Sequence, residues 1–263
     1  MDWLDALILG IVQGLTEFLP VSSSGHLLLS KEILGIQNTD NLTFEITVHA
    51  ATVLSTLTVF RKDILKLLNG LFKFEYNKET RYILAILVSM IPVMIVGLFF
   101  KDEVEKLFGE GVMLVGIMLL VTAGLLFFSH ISKNGKKPIT YKNAFITGIA
   151  QACAVLPGLS RSGATISTGL ILGVDRNSIA RFSFLMVLIP VLGEAFLELV
   201  KGEFSSAESQ ISTVPLMVGF FGAYVSGLVA CKLMIKIVTQ IKLYWFAIYC
   251  TAAGIVAIVY SLI

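Results

Sequence analysis

Glu17, Ser23 and His26 lie within ten residues of one another near the amino terminus, in a stretch that is otherwise mostly apolar. A carboxylate, a hydroxyl and an imidazole are groups that proteins use as base, nucleophile and acid. A second polar segment carries Arg161, whose planar guanidinium suits bidentate binding of a phosphate. Acid–base groups on one segment and an anion-binding group on another together favour phosphoryl transfer.

The two polar segments, 10–26 and 148–165, are similar in sequence. Several residues of the first return 138 positions later in the second, among them Gly10, Gln13, Ser24 and Gly25, which return as Gly148, Gln151, Ser162 and Gly163. Pro20 returns as Pro157, 137 positions later. Irregular backbone inside a bilayer is tolerated only where protein or water surrounds it, and ionisable groups there are usually functional. We therefore expect both segments to line the functional site.

The composition indicates a membrane protein. Of the 263 residues, 56% are hydrophobic and 14% are charged, whereas soluble domains carry about 25% charged residues. The mean hydropathy is +0.86. The net charge is only +2, so the sequence gives no sign of binding nucleic acid.

Six apolar segments are long enough to cross the hydrocarbon core of a bilayer, which takes about 20 residues of helix. They are 44–60, 82–100, 112–129, 179–200, 214–236 and 243–263. Two further apolar regions, 1–36 and 144–175, are interrupted by the polar segments, and each half has only about 12–18 residues. Halves of that length predict re-entrant helical hairpins rather than full crossings.

The offset of 138 continues beyond the polar segments, since Phe44 and Phe182 each open the first long crossing of their half. We therefore predict an all-α polytopic membrane protein, a single membrane domain of two repeats at about 1–130 and about 138–263. Each repeat holds one re-entrant hairpin and three transmembrane helices. Because three is odd, the second repeat must have inverted topology, an arrangement that commonly places a binding site near the midplane.

The basic residues orient this layout in the membrane. Fifteen of the twenty lysines and arginines fall in four connecting regions on one side, namely 61–81, 130–143, 174–181 and 232–242, and four fall on the other side. By the positive-inside rule the first side is cytoplasmic, which places both termini outside. The first hairpin then enters the membrane from outside and the second from inside.

Gln13 and Glu17 are four residues apart and therefore share one helix face, just before Pro20 interrupts the helix. A carboxylate at membrane depth requires a cation, a metal or water. An ion pair with Arg161 that only fixes the two hairpins is the simpler interpretation. Since Glu17 is the one acidic residue of the two segments, we expect no all-protein metal cage. A metal such as Mg²⁺ would be shared between Glu17 and phosphate oxygens.

Ser22, Ser23, Ser24 and Gly25 precede His26 at the predicted start of a helix. Hydroxyl and backbone N–H groups at a helix amino terminus can hold a phosphate, although one serine could also serve as an ordinary N-cap. His26 would lie about one turn into the helix, where it could act as an acid, a base or a nucleophile. A purely structural, hydrogen-bonded histidine is the alternative.

Arg161 is flanked by short side chains that could add hydrogen bonds to an anion. On the two segments together, the predicted substrate-binding residues are Gln13, Ser22, Ser24, Gly25, Ser160, Ser162, Gly163 and Thr165. Beyond the segments, Glu45 and His49 are four residues apart in the crossing at 44–60. They either line the same cavity or pair with each other near the interface, and the second interpretation is favoured.

Two motifs carry a resemblance to a known family: QGLTEFLPVSSSGH (13–26) and PGLSRSGAT (157–165). Both closely resemble the motifs of the bacterial undecaprenyl-diphosphate phosphatase family, the bacitracin-resistance phosphatases. The likeness covers essentially the whole chain, including its length and its two-repeat layout.

The resemblance implies an enzyme of the bacterial inner membrane that hydrolyses undecaprenyl diphosphate to undecaprenyl phosphate and phosphate. This reaction recycles the lipid carrier for peptidoglycan synthesis and confers resistance to bacitracin. The resemblance also implies an active site open to the periplasmic face. The expected partners are the polyprenyl diphosphate and membrane lipids, and a homodimer is left open.

The same resemblance implies a divalent metal, Mg²⁺ or Ca²⁺, with Glu17 as its ligand. It places the essential positions at Glu17, Ser23, His26 and Arg161. The position of Gln13 holds glutamate in some members of the family. With glutamine here, Glu17 must carry the metal or base role alone.

A transporter or flippase for a phosphorylated lipid is the alternative, because inverted repeats usually serve alternating access. The arginine and the hydroxyl groups would then bind the headgroup without hydrolysing it. The asymmetry of the segments favours the enzyme, since a pure binding site has no need for Glu17 and His26 on one segment only. The attacking group stays open between Ser23, His26 and water.

Overall fold

The structure, a computed structural model, describes residues 1–36, 41–108, 111–132, 135–201, 212–240 and 242–262. These residues form helices joined by short connections, and their only β pairing is an isolated bridge between Lys137 and Val174. In chain order the helices are α1 (Trp3–Phe18), α2 (Ser23–Leu34), α3 (Asn41–Leu71), α4 (Lys78–Phe99), α5 (Lys101–Phe108), α6 (Gly111–Ile131), α7 (Tyr141–Cys153), α8 (Arg161–Ile171), α9 (Arg176–Lys201), α10 (Thr213–Gln240) and α11 (Tyr244–Leu262).

Six of these helices, α3, α4, α6, α9, α10 and α11, are long and apolar enough to cross a membrane. The prediction of an all-helical, multi-pass membrane protein is therefore confirmed. Helix α3 continues to Leu71, so the prediction of a connecting region at 61–81 is wrong for its first half, which is helical. Charged residues such as Arg61 and Lys62 are good helix formers, and they extend the helix beyond its apolar part. The short helix α5 lies between the predicted crossings 82–100 and 112–129.

Each polar segment forms two short helices that meet at a break. Helices α1 and α2 flank residues 19–22, and α7 and α8 flank residues 154–160. Leu19, the C-cap of α1, is extended, as a residue before proline usually is. In the second break Gly158 has a φ of 89°, a conformation that glycine adopts without strain. The proline and glycine of the two segments thus place the breaks.

The helices of the two predicted repeats pack against one another reciprocally. Helix α1 packs against α10, α7 against α4, and α6 against α11. Glycines allow the close approach at corresponding positions: a Cβ atom at Gly10 would collide with the Gly219 backbone, and one at Gly148 with the Ser89 backbone. Small residues commonly let membrane helices approach in this way.

Most of the buried apolar side chains form one cluster between the helices, with Phe60 and Phe182 among its largest members. The cluster includes Phe18 and Val21, on either side of the first break, and Ile166 of α8. Packing of these side chains fixes the two breaks relative to each other.

Candidate active site

The two breaks are in direct contact. Ser24 Oγ accepts a hydrogen bond from the Gly158 N–H at 3.4 Å, and Ser162 Oγ donates to the Leu19 carbonyl oxygen at 3.1 Å. Each break thus contributes a serine that binds the backbone of the other. The two polar segments, far apart in sequence, therefore meet in the fold.

Ser22 and Ser160 are the N-caps of α2 and α8. Ser22 Oγ accepts from the Gly25 N–H at 3.3 Å, and Ser160 Oγ accepts from the Gly163 N–H at 3.1 Å. These four residues, predicted to contact an anion, use these atoms to cap the helices. Ser22 also has a left-handed φ of 70°. Such strain costs about 1–3 kcal/mol and is concentrated at functional sites.

Glu17 is the acceptor at the centre of a small hydrogen-bond network. Its Oε2 atom accepts from Ser23 Oγ at 2.6 Å and from Gln13 Nε2 at 2.9 Å. The shorter distance is typical of a hydroxyl bound to a charged carboxylate. The Glu17 side chain is only 13% exposed, which shields this network from bulk solvent. A hydroxyl held by a carboxylate in this way is positioned to lose its proton as it attacks.

Arg161 lines the same open pocket as Glu17. No ion pair joins the two side chains in the part of the chain that the structure describes, so the simple salt bridge between them is not formed. Among the described residues the guanidinium has no hydrogen-bond partner either, which leaves its donors available to an anion. Much of the remaining wall is apolar: Phe18, Val53, Phe184, Val187, Leu188 and Val191.

His26 lies in the first turn of α2, and both of its ring nitrogens are occupied. Nδ1 is 2.8 Å from the Ser22 carbonyl oxygen, so Nδ1 carries a proton and donates it. Nε2 then accepts from the Tyr249 hydroxyl at 2.7 Å, and the two rings stack with centroids 5.5 Å apart. Tyr249 of α11 was not among the predicted residues. No sequence signal marks it, because it lies 223 positions from His26 in an apolar stretch.

Thr165 is fully buried and its hydroxyl is used within the protein. It donates to the Arg161 carbonyl oxygen at 2.8 Å and lies 2.6 Å from Ser183 Oγ. Ser183 of α9 and Ser162 both line the pocket. Thr165 thus supports the first turn of α8, while Ser183, which the sequence did not single out, joins Ser162 at the pocket wall.

Helix α3 brings a further polar group to Glu17. His49 Nε2 lies 4.0 Å from Glu17 Oε2. The Glu45 carboxylate pairs with Lys31 of α2, so the favoured interpretation of a side-chain pair between Glu45 and His49 is wrong. Lys31 is one of the four basic residues counted on the outer side of the predicted layout; it is only 4% exposed and ties α2 to α3.

The donors around Glu17 fit a divalent cation that is shared with a phosphate group. No group of three or more His, Cys, Asp and Glu side chains within the described residues could hold a metal by itself. A carboxylate offers about four lone-pair positions, and Ser23 and Gln13 leave some of them unused. Gln13 Oε1 is buried without a partner and adds another oxygen. These oxygens suit Mg²⁺, which typically binds one or two carboxylates together with substrate phosphates.

Taken together, the two broken segments bring a carboxylate–hydroxyl pair and an unpaired guanidinium to one pocket between apolar helices. These features define a multi-pass membrane protein with groups suited to phosphoryl transfer.

The chain matches one family along nearly its whole length: residues 6–256 match the model for the bacitracin resistance protein BacA. Curated relatives named undecaprenyl-diphosphatase include one from Bacteroides fragilis, 57% identical over 99% of both chains, and one from Parabacteroides distasonis, 57% identical over 100% of both. Another, from Methanosphaera stadtmanae, is 39% identical over 100% of this chain and 99% of its own. The chain therefore belongs to the BacA family, and the family expected from the two motifs is confirmed.

Proposed function

We propose that this protein hydrolyses undecaprenyl diphosphate to undecaprenyl phosphate and inorganic phosphate. The observation that carries this proposal is the Ser23–Glu17 hydrogen bond of 2.6 Å beside the pocket that Arg161 lines. The name undecaprenyl-diphosphatase of relatives that are 57% identical supports the same activity. Hydrolysis would recycle the lipid carrier for peptidoglycan synthesis. It would also confer resistance to bacitracin by competing for the diphosphate that the antibiotic binds.

Ser23 is the proposed nucleophile and Glu17 its base. Ser23 Oγ attacks the terminal phosphorus while Glu17 Oε2, 2.6 Å away, takes the hydroxyl proton. The bond between this phosphorus and the bridging oxygen breaks, and the lipid monophosphate leaves as an anion. Water then hydrolyses the phosphoserine, which releases inorganic phosphate and restores the hydroxyl.

Arg161 is the proposed phosphate-binding group. Its forked donors match two phosphate oxygens, and Ser162 and Ser183 offer hydroxyl groups at the same wall. Helices α2 and α8 begin at Ser23 and Arg161, so the positive ends of two helix dipoles lie at the site. Both effects stabilise the negative charge of a diphosphate and of the transition state.

His26 is assigned an acid–base role rather than the attack. The Ser22 carbonyl and the Tyr249 hydroxyl occupy its two nitrogens, so attack by nitrogen would first require the bond to Tyr249 to break. The hydroxyl of Ser23 already contacts its base. We therefore assign the attack to Ser23. In the later hydrolysis His26 would take a proton from the attacking water, and Glu17 would return its proton to Ser23 Oγ.

A divalent cation, Mg²⁺ or Ca²⁺, is proposed to bind at Glu17. Such an ion, when bound, would neutralise charge on the phosphate oxygens. Glu17 is the one carboxylate that lines the pocket in the described part of the chain. The unpartnered Gln13 Oε1 supports an additional ligand position next to it.

The apolar wall of the pocket suits the lipid part of the substrate. Helix α3 contributes Val53 to this wall, and α9 contributes Val187 and Val191. A prenyl chain that lies against these side chains buries apolar surface, which is favourable at about 25 cal/mol per Å². The chain would then leave the pocket sideways between helices while the diphosphate stays at the polar end.

The two polar segments are proposed to be re-entrant hairpins of two inverted repeats, 1–130 and 138–263. The short helices α1, α2, α7 and α8 have 16, 12, 13 and 11 residues. At about 1.5 Å per residue even α1 measures only about 24 Å, less than the roughly 30 Å of a hydrocarbon core. The reciprocal packing of α1 on α10 and of α7 on α4 further supports the inverted repeat.

The basic connecting regions would face the cytoplasm, with the protein in the bacterial inner membrane and the site open to the periplasmic face.

The test is phosphate release from undecaprenyl diphosphate by purified protein in detergent, with Mg²⁺, with Ca²⁺ and with EDTA. Wild type should release phosphate, and Glu17→Ala and Arg161→Ala should each lose about 10³-fold or more in rate. Lys142→Ala, an exposed residue at the start of α7, is the control and should retain full activity. Folded wild type that releases no phosphate would refute the proposal and favour lipid transport, which flipping assays on the same variants would measure.

A further inference from the structure

His49 approaches the proposed cation site from α3, outside the two polar segments. It shares a helix face with Thr52, Val53 and Thr56, all of which line the pocket. Its Nε2 atom lies 4.0 Å from Glu17 Oε2, and the two side chains are 31% and 13% exposed.

Hydrogen bonding determines how the His49 ring meets Glu17. Nδ1 lies 2.8 Å from the Glu45 carbonyl oxygen, which can only accept, so Nδ1 carries a proton. In the neutral ring Nε2 therefore presents a lone pair toward Glu17. A lone pair and a carboxylate oxygen repel each other unless a positive species lies between them. Metal-binding histidines commonly have this arrangement, in which the other nitrogen donates to a carbonyl group.

The separation of the two groups suits one metal ion. Bonds from a metal to imidazole nitrogen and to carboxylate oxygen are each about 2.0–2.2 Å, so two ligands of one ion lie at most about 4.3 Å apart. The observed 4.0 Å between His49 Nε2 and Glu17 Oε2 falls within that reach. Since Ser23 and Gln13 both donate to Oε2, the unused lone pairs of the carboxylate lie mainly on its other oxygen, Oε1. Gln13, one helical turn before Glu17, is neutral and cannot supply a second charged ligand. His49 on α3 supplies a further donor from another helix.

We propose that His49 Nε2 joins the Glu17 carboxylate and Gln13 Oε1 as a protein ligand of one divalent cation, whose other ligands are substrate phosphate oxygens and water. This rests on the proposed phosphatase function, in which the cation neutralises the diphosphate. One imidazole among oxygen donors favours a first-row transition ion such as Mn²⁺ over Ca²⁺, which prefers oxygen donors only.

The histidine content of the chain makes this ligand assignable, since His26, His49 and His130 are its three histidines. Purified full-length protein in detergent is titrated with Mn²⁺ alone, and binding is followed by EPR with electron spin echo detection of nitrogen coupling. We expect a nitrogen signal in wild type. We expect His49→Gln to lose this signal and to bind Mn²⁺ about tenfold more weakly or worse. His130→Gln is the matched control and should keep both, because His130 packs against Tyr244 at the end of α6.

A second variant guards against misfolding. His49→Glu should still bind Mn²⁺ without the nitrogen signal, and its preference should shift from Mn²⁺ toward Ca²⁺. Thermal unfolding without metal should be the same for His49→Gln and wild type, and added Mn²⁺ should stabilise wild type more than His49→Gln.

Three results would overturn the proposal: a nitrogen signal that persists in His49→Gln, bound Mn²⁺ without any nitrogen signal in wild type, or no Mn²⁺ binding at millimolar metal with or without methylenediphosphonate. Phosphate release measured in parallel separates this proposal from the proposed function. If phosphate release survives EDTA in a protein that binds no Mn²⁺, the proposed ligand set is refuted and the phosphatase function stands. If a folded protein binds Mn²⁺ through His49 but releases no phosphate, the metal site is supported and the phosphatase function is refuted.

Discussion

Replacing Ser23 by alanine tests whether its hydroxyl attacks the phosphorus or only orients Glu17. The two roles can be separated because the structure limits how much the second role can contribute to the rate. A hydroxyl that only orients Glu17 contributes what a charge-assisted hydrogen bond of 2.6 Å provides, about 1.5–3 kcal/mol. A difference of about 1.4 kcal/mol in the barrier corresponds to tenfold in rate. Loss of this bond alone would therefore lower kcat by about 10-fold to 150-fold.

As the nucleophile, the same hydroxyl forms a covalent bond that no neighbouring group supplies. Removal of an attacking serine in a hydrolase costs on the order of 10⁶ in kcat. We therefore expect Ser23→Ala to lose at least about 10⁴-fold in kcat. KM should change by less than about threefold, because Arg161 and the apolar wall that bind the substrate remain.

The assay is the initial rate of phosphate release over a range of undecaprenyl diphosphate concentrations, in detergent with Mg²⁺. Ser30→Ala is the matched control, since Ser30 lies two turns further along the same helix and should keep kcat within about twofold. Rapidly quenched wild type should also contain a phosphorylated fraction in its intact-protein mass. A Ser23→Ala protein with more than about 1% of the wild-type kcat would refute attack by the serine and leave His26 or water.

Three further substitutions test the surroundings of the site. Tyr249→Phe removes the hydroxyl that bonds the histidine of α2, and steady-state kinetics should show kcat lowered about 2-fold to 10-fold with thermal unfolding unchanged. Gly158→Ala places a Cβ atom on a residue with a φ of 89° and 2.7 Å from the backbone of α6. Thermal unfolding should show a loss of about 1–3 kcal/mol in the free energy of unfolding. The control Gly124→Ala, where no atom lies near the added Cβ, should show no loss. Glu45→Ala leaves Lys31 buried without its carboxylate, and denaturant unfolding should show a loss of about 1–3 kcal/mol that Glu45→Gln partly recovers.

Local signals predict most of the fold, because each has a direct physical consequence. Apolar length predicts the six crossings, and proline and glycine predict the two breaks. What the sequence does not reveal depends on contacts between distant helices. Tyr249 meets His26 only because α11 passes beside α2. Lys31 appears in the sequence as one more basic residue near a membrane boundary, and only the position of Glu45 on α3 allows it to be buried.

The residues of the site show the same division between what spacing determines and what packing determines. Gln13 and Glu17 share a helix face, as their spacing predicts, and the structure joins them by a hydrogen bond of 2.9 Å. The three consecutive serines cannot be told apart by residue type or spacing. Ser22 caps α2, Ser23 bonds Glu17 and Ser24 bonds the backbone of the second segment. Only the path of the chain through the break assigns these three roles.

The two broken segments share a scaffold and differ in their chemistry. Ser23 and Arg161 lie 138 positions apart, and each is the first residue of its helix after a capping serine. The same backbone position therefore presents a hydroxyl beside a carboxylate in one copy and a guanidinium in the other. Both positions are at helix amino termini, which favour an anion. The segment 148–165 contains neither glutamate nor histidine, so in the proposed mechanism attack comes from one copy and charge neutralisation from the other. A site that only binds a phosphorylated lipid could be built from two anion-binding segments. The difference between the two segments therefore favours catalysis.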